Sequence, residues 1–197
     1  MKWLAAALAT IALAAGAAAQ DSPAAPPSGD GIALPLPFGG PFALTDQFGR
    51  TRSEADPDGR LQLLFFGYAN CEAICTVALP HMAEVVQALR LRDIAVRPVM
   101  ITVDPERDTP AVMAAALGKL DPDFVGLTGS PAALAEAYGR FAVESSVVFV
   151  TPEGKPVFAH GSLIYLLDGQ GRFLTVIPPI LSTDRAAEIV AGFAAAG

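Results

Sequence analysis

Leu61-Gln-Leu-Leu-Phe-Phe-Gly-Tyr-Ala-Asn-Cys71-Glu-Ala-Ile-Cys75-Thr-Val-Ala-Leu-Pro-His81-Met is the stretch whose reading decides the fold. Residues 61–66 are an apolar run of strand length, continuous enough for a strand buried on both faces. Residues 67–70 carry turn signals. The only two cysteines of the chain follow, at the point where a helix is expected to begin. Residues at i and i+4 share one helix face, with Cβ atoms about 5–6 Å apart. A small shift of the first turn brings two such sulfurs within bonding distance, and the same pair can instead close around one metal ion. The positive end of the helix dipole favours a thiolate there. The alternative is an ordinary buried pair or a structural disulfide. However, a bridge across so short a loop removes little unfolded-state entropy. Redox chemistry, soft-metal binding, or both are the expectations.

The 197 residues suit one domain with an N-terminal extension. The formal net charge is -7, and no basic cluster occurs. That excludes nucleic acid as a partner and argues against a polybasic membrane face. Residues 1–19 pair one lysine with an apolar, alanine-rich run and end on small residues, as a secretory signal peptide does. The alternative is an uncleaved membrane anchor. No cysteine follows the run to carry a lipid. Residues 20–38, rich in Pro, Ala, Ser and Gly, are expected to form a flexible linker. Residues 39–197 are expected to form the folded domain. Export to the bacterial periplasm, with a possible tether to the inner membrane, puts the cysteines in an oxidising compartment. A thiol pair there has to be kept reduced by a partner or held by metal.

Residues 42–51 read as two short strands around a turn at 46–49. Residues 77–91 have helical spacing at Leu79, Met82, Val86 and Leu89. A strand is predicted over 95–103. Pro110 and Pro131 each open a helix, with Thr109 and Ser130 as caps. A short strand is predicted over 124–127. Two later hairpins turn at 152–154 and 168–171, and a last helix covers 183–194. Strand–helix alternation between terminal hairpins predicts an α/β fold, a mixed sheet flanked by helices on both faces with an N-terminal β-hairpin extension.

Loops at the carboxyl ends of parallel strands share one sheet edge. The cysteine turn and the acidic loop Asp104-Pro-Glu-Arg107-Asp108 are therefore expected to be neighbours. The acidic loop reads as turn chemistry with a local Asp–Arg pair, and Asp104, Arg107 and Asp108 as a partner-docking edge. Of the two histidines, His81 reads as a helix-surface residue. His160 lies at a strand entrance, where a hydrogen-bonded loop histidine is the ordinary reading. Two thiolates and one imidazole are nonetheless the donors that copper or zinc prefers. Met82, Met100 and Met113 fall on core positions.

These motifs are recognisable together. Phe66-Gly-Tyr68 before Cys71-x-x-x-Cys75, then residues 103–110, Leu127-Thr-Gly-Ser-Pro131, and His160-Gly-Ser162 with Tyr165-Leu-Leu-Asp168 resemble the Sco/SenC family, in order from about residue 40 to the C-terminus. The resemblance implies a thioredoxin-like fold and one copper ion, Cu(I) or Cu(II), on Cys71, Cys75 and His160. It also implies a part in assembling the CuA site of cytochrome c oxidase subunit II, or of another cuproprotein. The role is that of copper donor, of thiol reductant, or of both. Either role requires a source of copper and a reductant for the thiols. The chain departs from the family pattern at Glu72 and Thr76, where proline is common after each cysteine, and at Ala159, where aspartate is common before the histidine. Glu72 places negative charge beside a thiolate and opposes its ionisation.

Two functions follow. One is an exported copper metallochaperone. The other is a periplasmic thiol–disulfide oxidoreductase that uses Cys71 and Cys75 without metal. His160 separates them, because disulfide exchange does not require it. A peroxide-reducing reading lacks the peroxidase cysteine context.

Overall fold

The computed structural model describes residues 38–69 and 75–196. The signal or anchor segment, most of the linker and Cys71 lie outside the described residues. Among those described, no helix is long and apolar enough to cross a membrane.

The elements run β1 (Leu44–Asp46), β2 (Thr51–Arg52), β3 (Leu61–Gly67), α1 (Cys75–Arg90), β4 (Val96–Thr102), α2 (Pro110–Leu117), β5 (Val125–Thr128), α3 (Pro131–Arg140), β6 (Ser146–Val150), β7 (Pro156–Ala159), β8 (Ile164–Leu167), β9 (Phe173–Ile177) and α4 (Thr183–Ala196). Seven strands form one mixed sheet in the order β2-β1-β5-β4-β3-β8-β9. β3, β4 and β5 are parallel, and β1 and β8 flank them antiparallel. β3 is the apolar run of the quoted stretch, and six of its seven residues are buried. A strand covered on both faces needs that composition.

Register separates the two faces. Phe65 pairs with Met100, and Met100 with Gly126. A Cβ on Gly126 would stand 2.7 Å from Leu117 Cδ1 and 3.0 Å from Met113 Sδ, so α2 lies on that face. Phe66 points the other way and meets the rings of Tyr138 and Phe141 around α3. Helices thus cover both faces, as predicted. α4 packs along α1, and its Thr183 hydroxyl donates to Glu84 Oε2 at 3.0 Å.

Both proline-led helices are capped as expected. Thr109 Oγ1 accepts from the Val112 N–H, and Ser130 Oγ from the Ala133 N–H. Helix α1 starts at Cys75, earlier than its apolar spacing showed, and continues through Pro80. β6 and β7 form the expected hairpin, but as a separate two-stranded sheet.

At the amino-terminal edge of the parallel strands, charges are stitched together. Arg97 pairs with Asp56 and Asp58, and Arg60 with Asp58 and Asp123. Arg90 reaches Asp121 at 3.0 Å. Arg52 lies 3.7 Å from Asp46 and 3.9 Å from Asp56.

Candidate metal centre

The opposite, carboxyl-terminal edge holds the chemistry. β3 ends at Gly67, Tyr68 and Ala69 follow, and α1 opens on Cys75. Cys75 therefore stands at a helix N-terminus, where peptide dipoles stabilise a thiolate.

His160 reaches this edge from a different part of the chain. It follows β7 directly and leads toward β8, which runs antiparallel to β3. Its ring meets Phe65 edge-on at 5.7 Å between centroids, and Tyr68 at 5.9 Å. Phe158 packs on Tyr68 from the same strand, at 5.6 Å. The imidazole thus sits on the residues that lead into the cysteine turn. Its Nδ1 lies 2.9 Å from the Gly161 carbonyl oxygen. A carbonyl only accepts, so Nδ1 carries the proton and the lone pair of the neutral ring is on Nε2. That is the usual arrangement of a metal-ligating histidine.

The acidic loop holds the segment that follows β3. Asp108 accepts from the Ala69 N–H at 3.0 Å and from the Thr102 hydroxyl at 2.6 Å. Thr102 Oγ1 in turn accepts from the Asp104 N–H at 2.9 Å, and Tyr138 donates to the Thr102 carbonyl at 2.6 Å. Burial pushes the Asp108 carboxyl above its ordinary value, against its Thr102 and Ala69 hydrogen bonds. Burial, aided by Asp104 and Asp108, raises the Tyr138 phenol to about 12.

The acidic loop meets the chain at Ala69, two residues before Cys71, on the edge the topology argument required. The docking edge needs correcting. Asp104 is 3% exposed and Asp108 1%, so both carboxylates point inward. They are buried because donors reach them: Arg107 for Asp104, and Ala69 and Thr102 for Asp108. Arg107 remains half-buried. Its Nη2 donates to the Pro156 carbonyl at 2.8 Å, and its guanidinium lies 5.6 Å from the Tyr68 ring centre. It thereby pins the β6–β7 ribbon to the site.

His81 is also not on the surface. It is 8% exposed, and its Nε2 has no hydrogen-bond partner. Burial holds its pKa below the ordinary value, with Glu84 pulling the other way. The spacing of Leu79, Met82, Val86 and Leu89 marks one buried side of α1 and gives no sign that His81 is buried as well. Met82, Met100 and Met113 are core residues, as predicted. The aromatic seat of His160 was not foreseen, although Tyr68 and Phe158 were both visible as lone aromatics beside the motifs.

A cysteine at the first position of a helix and an oriented imidazole are residues whose donors suit copper. Proteins similar to this chain include one solved with copper bound. A sequence model of the SCO1/SenC family matches residues 32–195. An SCO2-like protein of Rickettsia felis is 36% identical over 138 residues, 70% of this chain and 67% of that protein. The structure of Bradyrhizobium japonicum ScoI with copper bound superposes with a TM-score of 0.69 at 36% identity, over 78% of this chain and 98% of that one. BsSco, described as a member of the Sco family of cytochrome c oxidase assembly proteins with a disulfide switch, superposes with a TM-score of 0.61 at 25% identity, over 83% and 98%. The chain belongs to the SCO1/SenC family.

Proposed function

We propose that this protein is an exported copper metallochaperone that carries one copper ion on Cys71, Cys75 and His160. It delivers that ion to the CuA site of cytochrome c oxidase subunit II. The observation that carries the reading is the seat of His160. Its ring rests on Phe65 and Tyr68, six and three residues before Cys71, with Nδ1 tied to the Gly161 carbonyl. A dithiol exchanger has no use for an imidazole so oriented. Copper bound in the Bradyrhizobium japonicum ScoI structure supports copper as the cargo.

The two thiolates favour Cu(I), and the imidazole extends the site to Cu(II). A three-donor site leaves a position through which an acceptor's ligand can enter. Export places the protein in the periplasm, where a reductant has to keep the thiols available.

Anaerobic copper titration of the reduced, purified protein tests this. One equivalent binds, and His160→Ala weakens binding by about 10- to 100-fold, the range seen when a metal site loses a key group. Failure to bind, or equal affinity in Cys71→Ala and His160→Ala, removes the reading.

A second reading has one observation in its favour, the disulfide switch of the BsSco relative. In it, one thiolate of this chain attacks a target disulfide and the other resolves the mixed disulfide. The target leaves as a dithiol, and Cys71 and Cys75 remain as a disulfide. Its signature is disulfide turnover that survives both copper removal and His160→Ala.

A further inference from the structure

Large apolar side chains are not exposed evenly over this molecule. Nine are exposed among the described residues: Phe48, Val77, Leu91, Leu120, Val147, Val148, Phe149, Val150 and Ile180. Six of these belong to elements at the metal edge of the sheet. Val77 is in the first turn of α1, and Ile180 is in the loop that leaves the carboxyl end of β9. The remaining four are consecutive on β6, each between 51% and 61% exposed.

The ribbon that carries these four is held in place at several points. Its inner strand β7 packs Phe158 on Tyr68 at 5.6 Å. Arg107 holds the Pro156 carbonyl at 2.8 Å. Ser146 pairs with Ala159, the residue before His160. The ribbon therefore runs from the histidine past Tyr68 to the acidic loop, with β6 as its outer strand. A strand exposed along its whole length normally carries charges that prevent association, and β6 carries none. An apolar patch continuous with a functional site marks a contact surface.

The charges around the patch indicate the partner. Glu106, Glu144 and Glu153 are exposed, against Lys155 alone. Arg107 is neutralised by Asp104. A second copy of this chain, itself at net charge -7, would set like charges face to face. Anionic lipid is repelled for the same reason.

We propose that the outer face of the β6–β7 ribbon is the docking surface for the copper acceptor. The acceptor would present an apolar patch ringed by Lys and Arg around its own metal ligands. This rests on the metallochaperone reading and specifies how the acceptor is recognised. Val147 to Val150 supply the apolar contact beside His160, and the glutamates guide the approach.

The probe is the soluble copper-receiving domain of cytochrome c oxidase subunit II, reduced and free of copper. Its binding to the copper-loaded full chain is measured by calorimetry, and copper transfer by stopped-flow absorbance. The double variant Val148→Ser with Val150→Ser still holds one equivalent of copper. It binds the domain at least tenfold more weakly, as loss of apolar anchors does. Glu153→Lys slows association at low salt, and its effect fades as salt rises. If the double variant binds and transfers as the parent does, the docking surface is wrong and the chaperone reading stands. If the parent self-associates and the double variant does not, the occupant is a second copy and the proposal is wrong. If the parent holds copper but neither binds nor loads the domain, the delivery reading fails, and this acceptor fails with it.

Discussion

Replacing Asp108 by alanine tests whether the acidic loop sets the shape of the cysteine turn. The carboxylate is buried and accepts from the Ala69 N–H, through both oxygens, and from the Thr102 hydroxyl. Alanine leaves two buried donors without an acceptor. Each costs about 1–3 kcal/mol. The Thr102 hydroxyl can rotate, so about 3 kcal/mol in total is expected, a large share of the about 5–15 kcal/mol that holds a domain together. Asparagine keeps one acceptor oxygen and removes a buried charge, so Asp108→Asn costs about 1 kcal/mol. The pH dependence fixes the sign. Folding raises this carboxyl's pKa above its ordinary value, so the folded state favours its protonated form. The contribution of Asp108 is complete below the unfolded pKa of about 4 and is lost as pH rises through the higher folded value. The advantage of the parent over Asp108→Asn therefore shrinks on going from pH 4 to pH 7. Urea unfolding of the reduced, copper-free protein at both pH values measures it. Anaerobic copper titration should also show weaker binding in Asp108→Ala, because Ala69 leads into the turn that bears Cys71. An alanine variant within 0.5 kcal/mol of the parent, on the order of an ordinary surface substitution, refutes this account of the turn.

Two further outcomes follow from the packing. His81 is buried with its pKa lowered, so folding disfavours its charged form. Its contribution is present above the unfolded value of about 6.5 and is lost as pH falls. Urea midpoints of the parent should drop between pH 7 and pH 5 by more than those of His81→Leu. Gly126→Ala places a methyl 2.7 Å from Leu117 Cδ1 and 3.0 Å from Met113 Sδ. Thermal unfolding should report a loss of about 1–3 kcal/mol, the usual cost of overpacking.

Most of the fold was legible in the sequence because its signals are local. The run at 61–66 is apolar enough that only a doubly covered strand accounts for it. Thr109-Pro110 and Ser130-Pro131 state where α2 and α3 begin, since each supplies a cap and a preset φ. The site was legible in part. The cysteine spacing and the order of the motifs named candidate ligands, but only tertiary contact puts His160 beside Phe65 and Tyr68. The inward turn of Asp104 and Asp108 was hidden because an acidic run normally faces water. What buries Asp108 is a donor 39 residues away, at Ala69. The exposure of β6 was hidden for a similar reason. Four consecutive apolar residues look the same in a buried strand and on an exposed ribbon, and only pairing separates the two.

The ion pairs among Arg52, Arg60, Arg90, Arg97 and the aspartates between positions 46 and 123 lie at one pole of the molecule. His160 and the start of α1 lie at the other. Structural insurance and cargo handling are thereby kept apart. Residues at the pole of His160 can thereby change without loosening the fastening at the far one.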